Sequence, residues 1–261
     1  MVEKVDVARN KEIATVWLNR PDTLNAFDLD MMGTFGASLI SLSADESVRG
    51  VVVSGRGKAF SVGGDLRWAQ TFPHGLPAAF HELAGRLHQA ITEIRRMRKP
   101  VIAAVNGIAA GGGFSLAMAC DFRVMARSAV LRQAYTSNGL CIDGGGTFML
   151  PRLVGVARAL EIAAFDEPIS SDQALNWGLT TRITEDDKAL EGAVDMAREL
   201  ARASMNSFGW SKQLLTDSFN TAFETHLERE RFGLCRCAAH PDGEEGVRAF
   251  LEKRSPTFSG R

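Results

Sequence analysis

The stretch spanning residues 77–105, PAAFHELAGRLHQAITEIRRMRKPVIAAV, decides the fold. Its apolar residues Phe80, Leu83, Leu87, Ile91, Ile94 and Met97 recur at steps of three and four, which predicts a helix over residues 77–99 with one apolar face. Pro100 has no N–H and cannot continue that helix, so the chain must leave it there. The apolar run at residues 101–105 then reads as a buried strand. Helix, stop and strand in such short order describe a helix docked on a sheet.

Outward from that unit, short β-like runs at residues 13–18, 51–54 and 122–125 alternate with segments of helical spacing. Such alternation predicts an α/β fold with a mostly parallel sheet wrapped by helices. From Ala157 onward the texture turns helical, at residues 174–179, 189–203, 210–215 and 219–232, and no further strand is expected. The chain thus divides into a core over residues 1–190 and a C-terminal helical region over residues 191–261, with oligomerisation as the expected use of the latter.

Composition narrows the function classes. The 261 residues carry 30 Lys and Arg against 31 Asp and Glu, a net charge of −1. Affinity for nucleic acid rests on an excess of basic side chains that neutralise phosphates, so no nucleic-acid partner is expected and small-molecule chemistry is. No apolar run reaches the ~18–20 residues of a membrane span, and the charged start MVEKVDVARNKE does not suit a signal peptide. A soluble, cytoplasmic protein without a membrane partner is predicted. Cys120, Cys141, Cys235 and Cys237 form neither a disulfide framework nor, with the histidines, a zinc spacing, so no metal is expected.

Three glycine-rich stretches are candidates for chemistry: Ser54-Gly-Arg-Gly-Lys-Ala-Phe-Ser-Val-Gly-Gly-Asp65, Asn106-Gly-Ile-Ala-Ala-Gly-Gly-Gly113 and Asp143-Gly-Gly-Gly-Thr147. None has the order of a phosphate-binding P-loop or of a dinucleotide fingerprint. What they share is backbone left open by missing side chains, two of them ahead of a helix, where unpaired N–H groups favour an oxyanion. Tight packing or turn geometry would account for any one of them alone.

With their surroundings these stretches resemble the enoyl-CoA hydratase/isomerase (crotonase) family. The resemblance runs from Asn25-Ala-Phe-Asp28 through Gly57-Lys-Ala-Phe60, Lys99-Pro-Val-Ile-Ala-Ala-Val-Asn-Gly107, Gly111-Gly-Gly113, Ala119-Cys-Asp121 and Leu150-Pro-Arg-Leu-Val-Gly155. It continues through Ile169-Ser-Ser-Asp-Gln-Ala174 and Trp177-Gly-Leu179 to Phe250-Leu-Glu-Lys-Arg254, nearly the whole chain. It implies a crotonase-like spiral of ββα units with a C-terminal helical trimerisation region, a homotrimer or dimer of trimers, and an acyl-CoA substrate. No cofactor is implied, coenzyme A being part of the substrate. The family's two oxyanion donors map onto the N–H groups of Gly64 and Gly112. Deprotonation beside a thioester moves charge onto the carbonyl oxygen, and losing one such donor typically costs ~10²–10³ in rate.

Acid and base groups choose the reaction. The two glutamates of family hydratases fall here on Ser115 and Tyr135, and a hydroxyl and a phenol do not readily replace two carboxylates near neutral pH. Asp143 stands where family isomerases carry a single acid, and one carboxylate suffices to take a proton from C2 and return it to C4. Read from its residues alone, Asp143 equally suits a turn or a helix cap before three glycines. As a base for a weak carbon acid it would have to gain strength from an apolar surrounding. The resemblance therefore implies double-bond isomerisation, with 2-enoyl-CoA hydration as the alternative. His88, Tyr135 and Asp143 also resemble the layout of the aromatic acyl-CoA dehalogenase branch, although His88 reads equally as a boundary residue of its helix. A non-catalytic member that binds acyl-CoA or RNA is the reading from another class.

Matches to family contacts with coenzyme A fall on Leu24, Ala26, Lys58, Phe60, Lys253 and Phe258, and each of these side chains would also suit an ordinary surface or core. Trp68, His88, Ser115 and Tyr135 are candidates for the acyl pocket, whose walls are expected from residues 68–77 and the helix after them. Asp65 and Asp121 are expected to fix loops.

Overall fold

The structure, a computed structural model, describes residues 3–258. β1 (Val5–Asn10) and β2 (Ile13–Leu18) form an antiparallel hairpin, followed by α1 (Leu29–Ala44). Asp28 starts α1 by accepting the Met31 N–H, which satisfies one of the orphan donors of the first turn. Pairs of strands and their helices then recur. β3 (Gly50–Gly55) and β4 (Ala59–Ser61) lead to α2 (Leu66–Gln70) and α3 (Gly75–Arg96). β5 (Val101–Val105) and β6 (Ile108–Ala110) lead to α4 (Gly112–Ala119), and β7 (Phe122–Ala126) and β8 (Val130–Arg132) to α5 (Gly146–Phe165), broken at Gly155 by φ 75° and ψ 162°. β9 (Ile169–Ser170), α6 (Ser171–Asn176), β10 (Arg182–Thr184), α7 (Ala189–Ala201), α8 (Met205–Asp217), α9 (Phe223–Ala238) and α10 (Pro241–Leu251) complete the order.

The hairpin and one strand of each later pair form a six-stranded sheet, β1-β2-β3-β5-β7-β10, and the other strands a four-stranded sheet, β4-β6-β8-β9. All pairings except β1 with β2 and β8 with β9 are parallel. Each strand-strand-helix turn advances by one strand in both sheets, and that repetition is the expected spiral. The central strands are mostly apolar because both faces are covered. Val51, Val53, Ala103 and Val105 face α1 and α3, whereas Val52, Ile102, Ala104 and Val124 meet Ala193, Met196, Ala197 and Ala201 of α7.

The structure corrects the sequence reading in three places. α3 ends at Arg96 rather than 99, with Met97 already non-helical at ψ 126°, since the residue before Pro100 must be extended and the chain needs room to turn. β9 and β10 lie beyond Ala157, where no strand was expected; at two and three residues they are too short to show an alternating pattern. A boundary at residue 190 falls in the first turn of α7, a helix that covers the main sheet, so the sheet-bound core extends to Ala201.

After α7 the helices α8, α9 and α10, and the turn between the first two, leave large apolar residues on the surface, among them Leu215, Phe219, Phe223, Phe232 and Phe250. A buried side chain of α8 helps tie them to the core. Lys212 of α8 sends its Nζ to the Ile94 carbonyl and to Oδ2 of Asp121, both at 2.7 Å, and the same oxygen accepts the Val101 N–H at 2.8 Å. Burial pushes the Asp121 carboxyl above its ordinary range, against the pull of Lys212. Among the described residues no helix is long and apolar enough to cross a membrane.

Candidate active site

Two of the glycine stretches meet. A parallel bridge joins Phe27 to Gly64: the Phe27 N–H donates to the Gly63 carbonyl at 2.7 Å and the Asp65 N–H to the Phe27 carbonyl at 2.9 Å. This pattern leaves the Gly64 N–H outside the ladder. Gly112 opens α4, so its N–H belongs to a first turn that has no intrahelical acceptor and carries the positive end of the helix dipole. Between them Gly63 has φ +83°, and a Cβ there would stand 2.4 Å from the Gly112 nitrogen. A Cβ on Gly113 would stand 2.3 Å from the Ser61 carbonyl. The absent side chains are thus what lets the loop after β4 lie against the start of α4. Gly64 and Gly112 line one cavity of about 400 Å³.

The same cavity is lined by Asp143 and Tyr135 and by an apolar wall that includes Phe27, Phe80, Leu83, Leu87 and Leu140. Asp143 does not cap α5, whose N-cap is Gly145 without a side-chain hydrogen bond. Its carbonyl accepts the Gly146 N–H at 3.0 Å, a turn that Gly144 and Gly145 permit with φ 59° and 73°. The side chain is therefore left for the cavity. One oxygen, Oδ1, accepts a short hydrogen bond from the Tyr135 hydroxyl. That hydroxyl lies 3.4 Å from Oγ of Ser115, which is fully buried on α4 one turn after Gly112. Tyr135 is aimed by Gln133, whose buried Oε1 accepts the Tyr135 N–H at 2.9 Å. Burial, the Asp143 charge and the bond to it push the phenol far above its ordinary pKa, so Tyr135 stays protonated and donates. The two positions where hydratases carry glutamates hold instead a hydrogen-bonded pair that ends on Asp143.

The second oxygen, Oδ2, faces Nε2 of His88 at 3.8 Å, and that nitrogen accepts the Gly144 N–H at 3.3 Å. His88 sits at the exposed edge of α3, as its helical position suggested, yet it reaches the acid turn. Among the described residues no group of three or more His, Cys, Asp or Glu comes together as a metal site would require.

Other expected site residues lie elsewhere. Trp68 packs its ring 5.1 Å from Phe72 and against the core, away from the cavity lining. The cavity wall comes from α3, and of residues 68–77 only Pro77, itself within α3, lines it. Ser115 is buried behind Tyr135 rather than lining the cavity. Phe60, a fully buried core side chain of β4, is not available to touch a coenzyme. Lys58 is exposed and lines a separate polar cavity with Arg56 and Asn106. Leu24 is left-handed at φ 53°, and the Ala26 carbonyl accepts from Arg20 at 2.6 Å. Lys253 is exposed after α10, and Phe258 packs near Gly246 in a tail that Glu245 anchors through Arg254 and the Thr257 N–H. Asp65 caps α2 and pairs with Arg20 at 3.0 Å, so it fixes a loop, as Asp121 does. Phe27, His81, Leu140 and Cys141 line the cavity without having been assigned a role there. Phe27 lay within a matched motif, Asn25 to Asp28, and Leu140 and Cys141 directly before Asp143, which were the signals available.

A ββα spiral thus sets two glycine N–H groups and one carboxylate around an apolar cavity. The model of the enoyl-CoA hydratase/isomerase family matches residues 8–261, and the chain belongs to that family. It is 34% identical to the 1,2-epoxyphenylacetyl-CoA isomerase of Escherichia coli (strain K12), over 96% of each chain. It is 36% identical to a probable enoyl-CoA hydratase of Mycobacterium tuberculosis (strain ATCC 25618 / H37Rv), over 95% of this chain and 90% of the other. Among solved structures, an enoyl-CoA hydratase from Polaromonas sp. JS666 superposes with a TM-score of 0.92 at 33% identity, covering 97% of this chain and 99% of that one. Relatives named for isomerisation and for hydration are thus about equally similar.

Proposed function

We propose that the protein isomerises a double bond in an acyl-CoA ester by a proton shift through an enolate. In this reading the N–H groups of Gly64 and Gly112 hold the thioester oxygen, and Asp143 takes a proton from C2 and returns it to C4. The observation that carries it is the single carboxylate in the cavity: Asp143 lines it together with both glycines, while Ser115 and Tyr135, at the hydratase positions, are hydrogen-bonded to each other and to Asp143. A two-carboxylate hydration has no second acid here. Tyr135 donates to Oδ1 and fixes it, which leaves Oδ2 for the proton. An acyl chain against Phe80, Leu83 and Leu87 would exclude water from the carboxylate. The chemistry so described uses no metal and no redox cofactor.

One relative, at 34% identity, is named an epoxyphenylacetyl-CoA isomerase, so isomerisation of an acyl-CoA ester occurs among proteins this similar. The exposed faces of α8, α9 and α10 support a homotrimer or dimer of trimers, in which Lys253 and Phe258 would meet coenzyme A. Lys58 and the loop at Leu24 and Ala26 would meet it from within the chain. The reading is tested by incubating the protein with 3-enoyl, 2-enoyl and aromatic acyl-CoA esters and identifying products by NMR, because mass alone does not register isomerisation. Conversion of a 3-enoyl to a 2-enoyl ester that fails in Asp143→Asn supports it. Formation of 3-hydroxyacyl-CoA at a rate untouched by that substitution overturns it in favour of hydration.

A further inference from the structure

Resting on the isomerase reading, we propose that His88 is a proton relay that opens Asp143 to water, so that the hydrogen delivered to the product comes from solvent rather than from the substrate's own C2. Four observations converge. Oδ1 of Asp143 is occupied by the Tyr135 hydroxyl, so Oδ2 is the oxygen that takes a proton. An imidazole nitrogen, Nε2 of His88, faces that oxygen at 3.8 Å. The Gly144 N–H donates to that same nitrogen, which marks Nε2 as the lone-pair nitrogen and Nδ1 as the N–H of the neutral ring. The His88 side chain is 53% exposed and that of Asp143 34%, so the pair bridges the cavity and bulk water.

An ionised carboxylate and a lone pair have no proton to share, and here they stand across a gap of 3.8 Å. Once Oδ2 has taken the C2 proton, the gap holds a donor and an acceptor. Transfer breaks the Oδ2–H bond and forms Nε2–H, leaving a carboxylate and an imidazolium, with the electron pair of the broken C–H bond on the enolate. The imidazole is a base able to receive that proton. Protonation of Nε2 also removes the acceptor that held the Gly144 N–H. The exposed ring is then free to swing Nε2–H into solvent, exchange it, and return a solvent hydrogen through Oδ2 to C4. His88 acts through Asp143 and need not touch the substrate.

The test is one turnover of a 3-enoyl-CoA in D2O with the full chain, reading deuterium at C4 of the 2-enoyl product by NMR. Wild type is expected to place solvent deuterium in most product molecules, and His88→Gln, which keeps a polar side chain but carries no proton, to transfer mainly the original hydrogen. A variant with unchanged circular dichroism makes the comparison valid, and His88→Asn is the second choice if His88→Gln does not fold. A wild-type product without solvent deuterium overturns the relay, as does equal labelling in the variant, which would mean that water reaches Asp143 directly. Exchange of the α-hydrogens of a saturated acyl-CoA, in the same solvent, separates the two readings. If that exchange depends on His88 while no 3-enoyl ester is isomerised, the relay stands and the isomerase assignment falls.

Discussion

Asp121 and Asp143 are the same side chain in two regions, and the structure gives them opposite work. Oδ2 of Asp121 takes a backbone N–H at 2.8 Å and the Lys212 ammonium at 2.7 Å, in a side chain only 16% exposed. Asp143 has one oxygen tied to a neutral phenol and the other facing His88 across a distance too long for a hydrogen bond, beside an apolar cavity. A carboxylate saturated by fixed donors holds backbone in place. One that keeps an oxygen unspent, with its counterpart clamped, is set to take a proton.

The largest effect that would sharpen this contrast is Asp143→Asn, expected to lower isomerisation kcat about 10³-fold with little change in melting temperature. Asp121→Asn is expected to do the reverse. It leaves the Lys212 charge unpaired and largely buried, which costs about 3–5 kcal/mol, readable as a lower denaturant midpoint, while kcat per folded molecule is kept. If both substitutions acted on activity alone, the division between the two regions would be wrong. Gly63→Ala is the next test. Its Cβ would press on the Gly112 nitrogen, and a loss of about 10²-fold in kcat is expected as one oxyanion donor is pushed off its aim.

Tyr135→Phe removes a hydrogen bond to a charged group, worth about 1.5–3 kcal/mol, and is expected to lower kcat roughly tenfold or somewhat more, with KM changed less. Ser115→Ala, one bond further out, should have a smaller effect in the same direction. The smallest difference concerns thiols. Burial pushes the Cys120 thiol up to about 12, so iodoacetamide near neutral pH should leave it untouched and label Cys141, which is exposed and lines the cavity, unless acyl-CoA protects it. Because the folded value exceeds the unfolded one near 9, Cys120 is expected to withdraw stability as pH rises from about 9 toward 12, and Cys120→Ala to flatten that slope.

The glycine wall was legible in the sequence because glycine is a statement about backbone: the residues at 63, 64 and 111–113 announce close approach wherever they fold. The sheet was legible for a similar reason, since strands buried on both faces read as unbroken apolar runs such as Val51 to Val53 and Val101 to Val105. The side-chain wall was half legible. Asp143 could be singled out, but its bond to Tyr135 joins residues eight apart through a turn whose shape depends on Gln133 and on two left-handed glycines. Phe60 and Trp68 were misplaced because an aromatic in a motif looks the same whether it faces a ligand or a core. The edge strands β9 and β10 exist by pairing with neighbours already in place, and no local pattern of two or three residues announces that.

The central claim is that one carboxylate does the proton work in the cradle made by Gly64 and Gly112. It is tested most directly by following a 3-enoyl-CoA and crotonyl-CoA side by side with wild type and Asp143→Asn. The account predicts that wild type moves the double bond of the first and that the variant does not. Hydration of crotonyl-CoA by both proteins at the same rate would contradict it.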